Sequence, residues 1–298
     1  MKYLVTGGAG FIGSHLCELL VENGNEVRVL DNLSSGDPSW LPGQVELVEG
    51  DIGDREAFLA AANRVDVITH LAAMSRSAPS AGMLDECIRS NVNGIANLIE
   101  VAKAKEPRRI VFAASSTYYG SGETPNRVEN SPDFLNYYGV TKYVGEALLG
   151  ALSRETGTPV TNLRLFNVYG PRQPTEGEYA LVIGQFLRAA ERGEPLTVHG
   201  DGSQRRDFVH VSDVARAFLL ASTSETPGCL TLNVGTGENT SIIDLARMIS
   251  PEIEFGPRRS GDAKDTLADI SATAETLGWS PQVSLKEGLD DLRAAPGR

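Results

Sequence analysis

The sequence is poor in the residues that build disulfide-rich and metal-binding proteins. Its 298 residues include only three cysteines, Cys17, Cys87 and Cys229, and four histidines. The cysteines are odd in number and far apart, which favours a reducing compartment over a disulfide framework. Neither residue type shows the spacing of a metal site. The sequence therefore predicts a cytoplasmic protein that has no disulfides and binds no metal.

Positive charge and long apolar runs are also scarce. Lys and Arg number 27 against 39 Asp and Glu, for a formal net charge of -12. This excess of acid disfavours nucleic acid or an anionic membrane as a partner, because both require clustered Lys and Arg. No run of about 18 apolar residues predicts a transmembrane helix, and the opening MKYLVTGG has a strand pattern rather than that of a signal peptide. With 41% hydrophobic residues, one large core or two smaller ones are expected.

A glycine-rich turn lies between a predicted strand and a predicted helix near the start of the chain. The segment Lys2 to Val5 reads as a strand, and TGGAGFIG then leads into a helical apolar pattern. Glycines at this spacing let the backbone approach a pyrophosphate, and the helix N-terminus offers N–H groups to that anion. The turn predicts a dinucleotide site with the contacts Gly7, Gly10, Phe11, Ile12 and Gly13. A turn without a ligand is the alternative, and the second strand that follows disfavours it.

The ends of the next predicted strands supply further cofactor candidates. The second strand, Glu26 to Leu30, ends at Asp31. An acidic residue there accepts hydrogen bonds from ribose hydroxyls and repels a 2′-phosphate, which favours NAD over NADP, although it could also cap a turn. The other expected contacts are Asn32, Ser35 and Gly36 after the second strand, Asp51 and Ile52 after the third, and Leu71, Ala72 and Ala73 after the fourth. For His70, at the end of the fourth strand, a structural role is expected.

Two later segments carry candidate catalytic groups. Ser115 and Thr117 follow the predicted fifth strand, Arg108 to Ala113, and ligand sites of parallel sheets lie at such carboxyl ends. Tyr138 and Lys142 lie four residues apart where a helix is predicted to begin near Asn136, so they share a helix face. A nearby cation favours the phenolate of a tyrosine, whose ordinary pKa is about 10. The pair therefore suits a base beside a dinucleotide, and an ordinary helix surface is the alternative.

The order of the predicted elements indicates the fold. Strands and helices alternate up to Phe166, which is typical of an α/β, doubly wound parallel sheet of the Rossmann type. Beyond Pro171 the elements become shorter and are separated by glycines. We expect an NAD-binding domain over 1–170, to which a later helix and strand return, and a smaller α/β region over 171–298 that binds substrate. Arg206 and the basic segment 257–262 suit a diphosphate there, with solvated surface arginines as the alternative.

Together these segments resemble the extended short-chain dehydrogenase/reductase family, and within it the nucleotide-sugar 4-epimerases of the UDP-glucose 4-epimerase type. The resemblance runs along nearly the whole chain, through TGGAGFIGS, DN, HLAA, SSTYYG, YYGVTK, RLFNVYGPR, GDGSQRRDFVHVSDVA and RRSGD. Each motif alone is common, whereas their order and spacing are specific to the family.

The resemblance implies a role for particular residues. Ser115, Tyr138 and Lys142 occupy the places of the catalytic group, and Asn91 supports the lysine or the nicotinamide ribose. The residues that fall where the family holds the nucleotide sugar, with Thr117 at the sugar and His199 near the base, are Thr117, Asn167, His199, Arg206, Arg259 and Asp262.

The chemistry that the resemblance implies is a transient oxidation of carbon 4. Tyr138 takes the proton of the 4-hydroxyl, Ser115 holds the oxygen, and hydride passes to NAD. The 4-keto sugar then turns over and takes the hydride back on its other face, so that UDP-galactose and UDP-glucose interconvert. A homodimer is also implied, formed by the helices near 84–105 and 138–152. The residues that either form its seam or face the core are Leu98, Ala102, Ala147 and Ala151.

Some positions depart from the family's pattern. Ala113 and Ala114 replace a serine pair, and Tyr118 stands where valine is common; we expect neither change to touch the chemistry. Related dehydratases and decarboxylases carry acidic residues just after the serine, where this chain has Ser116 and Thr117, which disfavours loss of water. Thr266 is small at a place thought to set the size of the sugar, so UDP-N-acetylhexosamines are a further hypothesis.

Two other functions remain open at this point. A nucleotide-sugar dehydratase or reductase would pass through the same 4-keto sugar, and a reductase would consume nicotinamide. A dinucleotide-sensing protein without catalysis is the second, because a fold alone does not guarantee activity. The intact group of Ser115, Tyr138 and Lys142 disfavours it.

Overall fold

The computed structural model describes residues 1–74, 82–177, 180–258 and 263–294. Its strands are β1 (Lys2–Thr6), β2 (Glu26–Asp31), β3 (Glu46–Glu49), β4 (Val67–His70), β5 (Arg109–Ser115), β6 (Val160–Leu165), β7 (Asn167–Tyr169), β8 (Leu196–His199), β9 (Arg205–Arg206), β10 (Phe208–His210), β11 (Cys229–Val234), β12 (Thr240–Ser241) and β13 (Ile253–Gly256). Its α-helices are α1 (Phe11–Glu22), α2 (Arg55–Ala61), α3 (Leu84–Ile88), α4 (Gly94–Lys105), α5 (Tyr137–Thr156), α6 (Val182–Glu191), α7 (Val211–Thr223), α8 (Ile242–Ile249), α9 (Ser271–Leu277) and α10 (Leu285–Ala294).

A parallel sheet of seven strands organises the described residues. Its order is β11-β6-β5-β4-β1-β2-β3, and every neighbouring pair runs parallel. The order reverses direction between β1 and β4, which is where ligands bind in open sheets of this kind. The doubly wound α/β fold expected from the sequence is confirmed.

The sheet is covered on both faces, and the strand sequences show why. Successive side chains of β1 alternate between two cores: Tyr3 and Val5 pack toward α1 and α7, whereas Leu4 packs toward α2, α4 and α5. Strands buried on both faces read as continuous apolar runs, as the sequence of β1 does. Each leucine or valine that is fully buried in this way contributes about 1.5–3 kcal/mol.

The helix α5 has clear start and stop signals. The side chain of Asn136 accepts a hydrogen bond from the Gly139 amide at 2.9 Å and so caps the first turn. Gly157 ends the helix in the left-handed conformation at φ 77°, which glycine adopts without strain. These signals place the start of the helix within one residue of the position expected from the sequence.

The helix expected over 84–105 is present with those bounds. It consists of α3, a π turn at Arg89–Asn93, and α4. The π turn contains Asn91 and Asn93. The π turn itself was not expected, because periodicity alone does not distinguish an α-helix from one that holds an extra residue in one turn.

The chain after Gly170 lies only partly outside the main sheet. The strand β11 joins that sheet beside β6, and α7 packs against α1. The remaining strands form small pairs, β7 with β10, β8 with β13, and β9 with β12. These pairs and the helices α6, α8 and α10 enclose a separate core that includes Phe186, Leu196 and Leu245. The expected boundary at residue 170 stays a prediction.

No helix in the described ranges combines the length and the apolar character needed to cross a membrane.

The four residues named for a dimer seam lie in two different settings. Leu98 and Ala102 are buried in the core between the sheet and α4, whereas Ala147 and Ala151 are exposed on α5. Leu98 and Ala102 are thus core residues.

Candidate active site

The glycine turn between β1 and α1 is a cradle that larger residues would fill. A Cβ on Gly13 would lie 2.1 Å from the Gly7 carbonyl oxygen, and one on Gly7 would lie 2.7 Å from the Ala72 amide nitrogen. Gly7 also has φ 70°, a conformation that side chains disfavour. Because the N-cap residue is Gly10, no side chain caps the first N–H groups of α1, where Phe11 and Ile12 lie. The turn therefore offers an N-terminus suited to an anion.

Asp31 fixes the edge of this cradle. Its carboxylate accepts hydrogen bonds from the Ala9 amide at 3.0 Å and from the Leu33 amide at 2.9 Å. It thus caps a turn, the alternative that the sequence allowed, and it also ties the end of β2 to the glycine turn. Gly36 lies against Ala9 so closely that a Cβ would stand 2.9 Å from the Ala9 carbonyl carbon. The free lone pairs of Asp31 remain available to ribose hydroxyls.

The other cofactor candidates lie around the same edge. Asn32 donates to the Asp51 carboxylate at 2.9 Å, and Ile52 is buried against Gly94. The amides of Leu71 and Ala72 donate to the Thr6 carbonyl at 3.1 and 3.0 Å, which turns the chain back after β4. Ser35 is exposed, and Ala73 is partly buried.

His70 belongs to the core. It is buried between Phe58 and Phe112, with ring centroids 6.1 and 6.0 Å away, and its Nδ1 bonds the Thr6 hydroxyl at 2.9 Å. Burial, followed by the nearby charge of Lys142, lowers the pKa of His70 to about 3. A neutral, hydrogen-bonded imidazole in this setting orients Thr6, which is a structural role.

Ser115 and Thr117 lie together at the carboxyl end of β5. The strand continues to Ser115, two residues beyond its expected end, because Ala113 and Ala114 are small and pair with β6. The hydroxyls of Ser115 and Thr117 are hydrogen-bonded to each other, and the Thr117 amide donates to Ser115 Oγ at 3.2 Å. The strand end thus presents two adjacent hydroxyl groups at the edge where the glycine turn lies.

The first turns of α5 bring Tyr138 and Lys142 to the same place. A Cβ on Gly139 would lie 3.6 Å from the Thr117 carbonyl oxygen, so the start of α5 rests on the 116–119 turn. Tyr138 is partly buried and Lys142 is buried, with its Nζ 4.4 Å from the centroid of the Phe112 ring. The ring face partly offsets the loss of water around the ammonium. Burial still lowers the pKa of Lys142 to about 7.

Asn91 connects the end of β4 to α5. Its side chain accepts from the Met74 amide at 2.8 Å and donates to the Met74 carbonyl at 3.0 Å. It also donates to the Thr141 hydroxyl at 3.0 Å, and Thr141 in turn donates to the Tyr138 carbonyl at 2.9 Å. Asn91 therefore supports the catalytic helix through Thr141, and the π turn gives it this reach.

The candidates for substrate binding form a second group. Asn167 donates to the Asp207 carbonyl at 3.2 Å and to the Thr266 hydroxyl at 3.4 Å. Arg206 is partly buried beside Asp207, and His199 bonds the Pro257 carbonyl through Nδ1 at 3.0 Å. Arg259 and Asp262 lie outside the described residues.

A buried carboxylate that the sequence did not single out, Asp207, joins the segment of Arg206 to those of Thr236 and Ala268. Asp207 is fully buried and accepts from the amides of Thr236, Gly237 and Ala268 and from the Thr236 hydroxyl, at 2.7–3.0 Å. Burial raises the pKa of Asp207 in spite of these donors. The sequence signal for a buried Asp207 is its position between Arg206 and the apolar residues Phe208 and Val209.

Glu146 and Tyr118 were also missed. Glu146 lies four residues after Lys142 and eight after Tyr138, so helical spacing could have placed it on their face. Tyr118 donates to Glu146 at 2.7 Å and accepts from the Ser115 amide at 3.2 Å. No sequence pattern indicates that pairing, since it joins a turn to a helix 28 residues away.

A family model and curated relatives match most of the chain. The model described as the NAD dependent epimerase/dehydratase family matches residues 3–235. A putative UDP-glucose 4-epimerase of Methanocaldococcus jannaschii is 38% identical over 297 residues, which cover 96% of this chain and 95% of the relative. A UDP-N-acetyl-alpha-D-glucosaminuronate decarboxylase of Bacillus cytotoxicus is 32% identical over 311 residues, which cover 97% and 96%.

A solved structure is similar over nearly the whole length. The crystal structure of UDP-glucose 4-epimerase from Thermotoga maritima, determined with UDP-glucose, superposes with a TM-score of 0.93 at 36% identity. The match covers 97% of this chain and 96% of that one. The similarity includes both the main sheet and the segments after Gly170.

Proposed function

The chain belongs to the NAD-dependent epimerase/dehydratase family, and we propose that it inverts carbon 4 of a nucleotide sugar, interconverting UDP-galactose and UDP-glucose. The observation that carries this proposal is the meeting of two elements: β5 ends in the hydroxyls of Ser115 and Thr117, and the start of α5, which carries Tyr138 and Lys142, packs on the Thr117 backbone. No acidic residue follows Ser115 at the next two positions.

NAD is the cofactor of this family, and the cradle fits it. The glycine turn and the N-terminus of α1 suit the pyrophosphate, and Asp31 suits the adenosine ribose. When bound, NAD supplies the capacity to accept a hydride from carbon 4 and to return it. The remaining steps depend on groups of this chain.

Tyr138 is the proposed base for the sugar 4-hydroxyl. A phenol must lose its proton near neutral pH to act in this way, which requires several pKa units of stabilisation. Lys142 is four residues away on the same helix face, and each charge favours the other, because a phenolate stabilises the buried ammonium. Ser115 donates a hydrogen bond to the sugar oxygen as that oxygen loses its proton, and Thr117 contacts the sugar.

The nucleotide is proposed to bind along the second group of residues. Arg206, with Arg259 and Asp262, is expected at the diphosphate, because a guanidinium matches phosphate oxygens bidentately. Asn167 and His199 complete the site, and Asp207 keeps Arg206 in register with the segment that contains Thr266. We extend the substrate range to UDP-N-acetylhexosamines, since Thr266 is small and lies beside Asn167.

We also propose a homodimer that pairs α5 of two copies. Its outer face carries an apolar stripe at intervals of three and four residues, and the stripe consists of Tyr137, Val140, Val144, Ala147 and Ala151. All five are at least partly exposed, and α3 adds the exposed Ile88 next to them. Stripes with this spacing pack helix against helix, as in coiled coils and four-helix bundles.

The reaction is tested by chromatography of nucleotide sugars. The purified protein is incubated with UDP-galactose and catalytic NAD, and we expect UDP-glucose to form without accumulation of NADH. Tyr138→Phe should lose about two to four orders of magnitude in kcat, the range for a lost general base. A product lighter by one water, or stoichiometric loss of the nicotinamide cofactor, would instead indicate a dehydratase or a reductase.

The sugar range is tested in the same assay with UDP-N-acetylglucosamine. We expect turnover within about tenfold of that with UDP-galactose, since one well-fitted group changes rates by about that much. Turnover near zero beside brisk conversion of UDP-galactose would restrict the substrates to the simple hexoses and leave the 4-epimerase proposal standing.

A further inference from the structure

The hydroxyl of Tyr118 joins the two elements that carry the proposed catalytic group. It accepts a hydrogen bond from the Ser115 amide at 3.2 Å and donates one to Glu146 Oε2 at 2.7 Å. Tyr118 is 1% exposed, so water does not substitute for either bond. One hydroxyl therefore connects the end of β5 directly to α5.

Glu146 is a fixed acceptor for this bond. Arg164 binds its carboxylate in a bidentate manner, with Nη2 2.7 Å from Oε1 and Nε 3.1 Å from Oε2. The two side chains are 11% and 7% exposed. Arg164 is itself held by the Tyr119 hydroxyl at 2.7 Å and the Val128 carbonyl at 2.9 Å. Bidentate pairs of this kind restrict both the position and the orientation of the carboxylate. The Glu146 carboxylate is therefore held in one orientation.

The same pair also secures Tyr118 from the side. The guanidinium carbon of Arg164 lies 5.0 Å from the centroid of the Tyr118 ring, within the range of a cation–π contact. Burial, with the Glu146 carboxylate beside it, raises the pKa of the Tyr118 hydroxyl well above its ordinary value. The hydroxyl therefore stays protonated and remains a donor at every working pH.

The bond from Tyr118 to Glu146 also constrains Tyr138, the proposed base, because both Glu146 and Tyr138 belong to α5. Glu146 follows Lys142 by four residues and Tyr138 by eight, so all three lie along one face of α5. A link from Ser115 to Glu146 therefore fixes the strand end against the face that carries Tyr138 and Lys142. Small displacements of the groups around a reacting atom lower the reaction rate strongly.

We infer that Tyr118 is a positioning residue that braces Ser115 against α5 and so sets the geometry between Ser115 and Tyr138. The inference rests on the proposed function. It also replaces the expectation that Tyr118 lies apart from the chemistry. Members of the resembled family often carry valine here, which has no hydroxyl, so the brace is a feature of this chain rather than of the shared catalytic group.

Tyr118→Phe tests the inference, with Tyr3→Phe as a matched control. Tyr3 is as deeply buried as Tyr118, and its hydroxyl bonds Ser222 on the other face of the sheet, outside the brace. We expect kcat to fall about tenfold in Tyr118→Phe, the rate equivalent of one hydrogen bond, with KM for the nucleotide sugar unchanged. Tyr3→Phe should keep kcat within about threefold of the wild type, although both variants lose thermal stability. Equal losses of kcat would mean a general packing effect and overturn the inference.

A double-mutant cycle with Ser115→Ala separates positioning from folding. Because the brace acts through Ser115, Tyr118→Phe should have no further effect on kcat in the Ser115→Ala background. A merely structural role would lower kcat by the same factor in both backgrounds. That second result, or a wild-type kcat in Tyr118→Phe, contradicts the inference.

Hydrogen exchange keeps the test independent of turnover. The Ser115 amide should exchange faster in Tyr118→Phe than in the wild type, and at the wild-type rate in Tyr3→Phe. If the wild type converts no nucleotide sugar, the proposed function fails, and with it the catalytic part of the inference, while exchange still decides whether the brace exists. Unchanged protection in Tyr118→Phe shows that it does not.

Discussion

Lys142 sits in a setting that works against its charge. It is buried, its ammonium lies over the Phe112 ring, and burial brings its pKa down to about 7. A lysine in the unfolded chain has a pKa of about 10.5. Burial of the ammonium therefore lowers the free energy of unfolding. In the proposed function, the same ammonium supports a phenolate at Tyr138.

This cost has a defined pH dependence. Between pH 7 and 10.5 the unfolded chain binds the Lys142 proton and the folded chain does not, so stability rises with pH in this window. Relative to Lys142→Met, the free energy of unfolding of the wild type should increase by at most about 1.4 kcal/mol per pH unit there and stay level below pH 7. Urea unfolding of both proteins at a series of pH values measures the difference.

Methionine is the appropriate replacement, because it is unbranched, apolar and of similar length. Lys142→Met should be the more stable protein at pH 7 and should lose epimerisation. A difference between the two proteins that does not change from pH 7 to 10 would show that burial does not lower the pKa of Lys142, and would contradict this prediction.

At this scale the sequence named the candidate groups and Asn91, but not the contacts made by Tyr118, Glu146 and Asp207. Tyr138 and Lys142 could be found because helical spacing and residue chemistry are local properties. The brace from Tyr118 to Glu146 could not, because it depends on how a turn packs against a helix. Asp207 was missed for the same reason: its donors come from segments 29–61 residues away.

Among the elements, the turn between β1 and α1 leaves no room for larger side chains at Gly7 and Gly13. We expect Gly13→Ala to weaken NAD binding at least about tenfold, because its Cβ would lie 2.1 Å from the Gly7 carbonyl oxygen and force the cradle open. Gly43→Ala is the matched control, since nothing lies within 4 Å of its added Cβ. Calorimetric titration with NAD and thermal melting of both variants decide the outcome. Wild-type affinity in Gly13→Ala would refute the role of the cradle.

Element prediction succeeded where signals were local. The start of α5 followed from Asn136 and the strand–turn–helix of the glycine turn followed from spacing. The π turn between α3 and α4 did not, because it depends on the bonds that Asn91 makes with Met74 and Thr141. The return of a later strand to the domain was expected, but its place beside β6 was not specified, because local patterns do not encode which strands become neighbours.

For the whole molecule, the proposed dimer makes a direct prediction. Ala147→Glu places a charge in the apolar stripe of α5 and should convert the protein to monomers, because an unpaired buried charge costs several kcal/mol. Ala274→Glu, at an exposed alanine of α9 away from the stripe, should leave the assembly unchanged. Sedimentation velocity measures the oligomeric state of both variants. A dimer that persists in Ala147→Glu would place the interface on another surface.

The two groups of residues assign separate tasks to the two parts of the chain. In the proposed function, the main sheet provides the cradle for NAD and the catalytic group, and the nucleotide site is formed by Asn167 together with His199 and Arg206 from the segments after Gly170. Under that proposal the cofactor and the sugar nucleotide meet at Ser115 and Tyr138. An overall charge of -12 makes a local basic pocket necessary for an anionic substrate.

The most direct test of the account follows the hydrogen on carbon 4. UDP-galactose labelled there with deuterium is converted by the wild-type protein in ordinary water, and the product is analysed by mass spectrometry and NMR. The account predicts UDP-glucose that retains the deuterium at carbon 4, because the sugar is oxidised and reduced within one bound state. Loss of the label to solvent, loss of water from the product, or net formation of labelled NADH would contradict it.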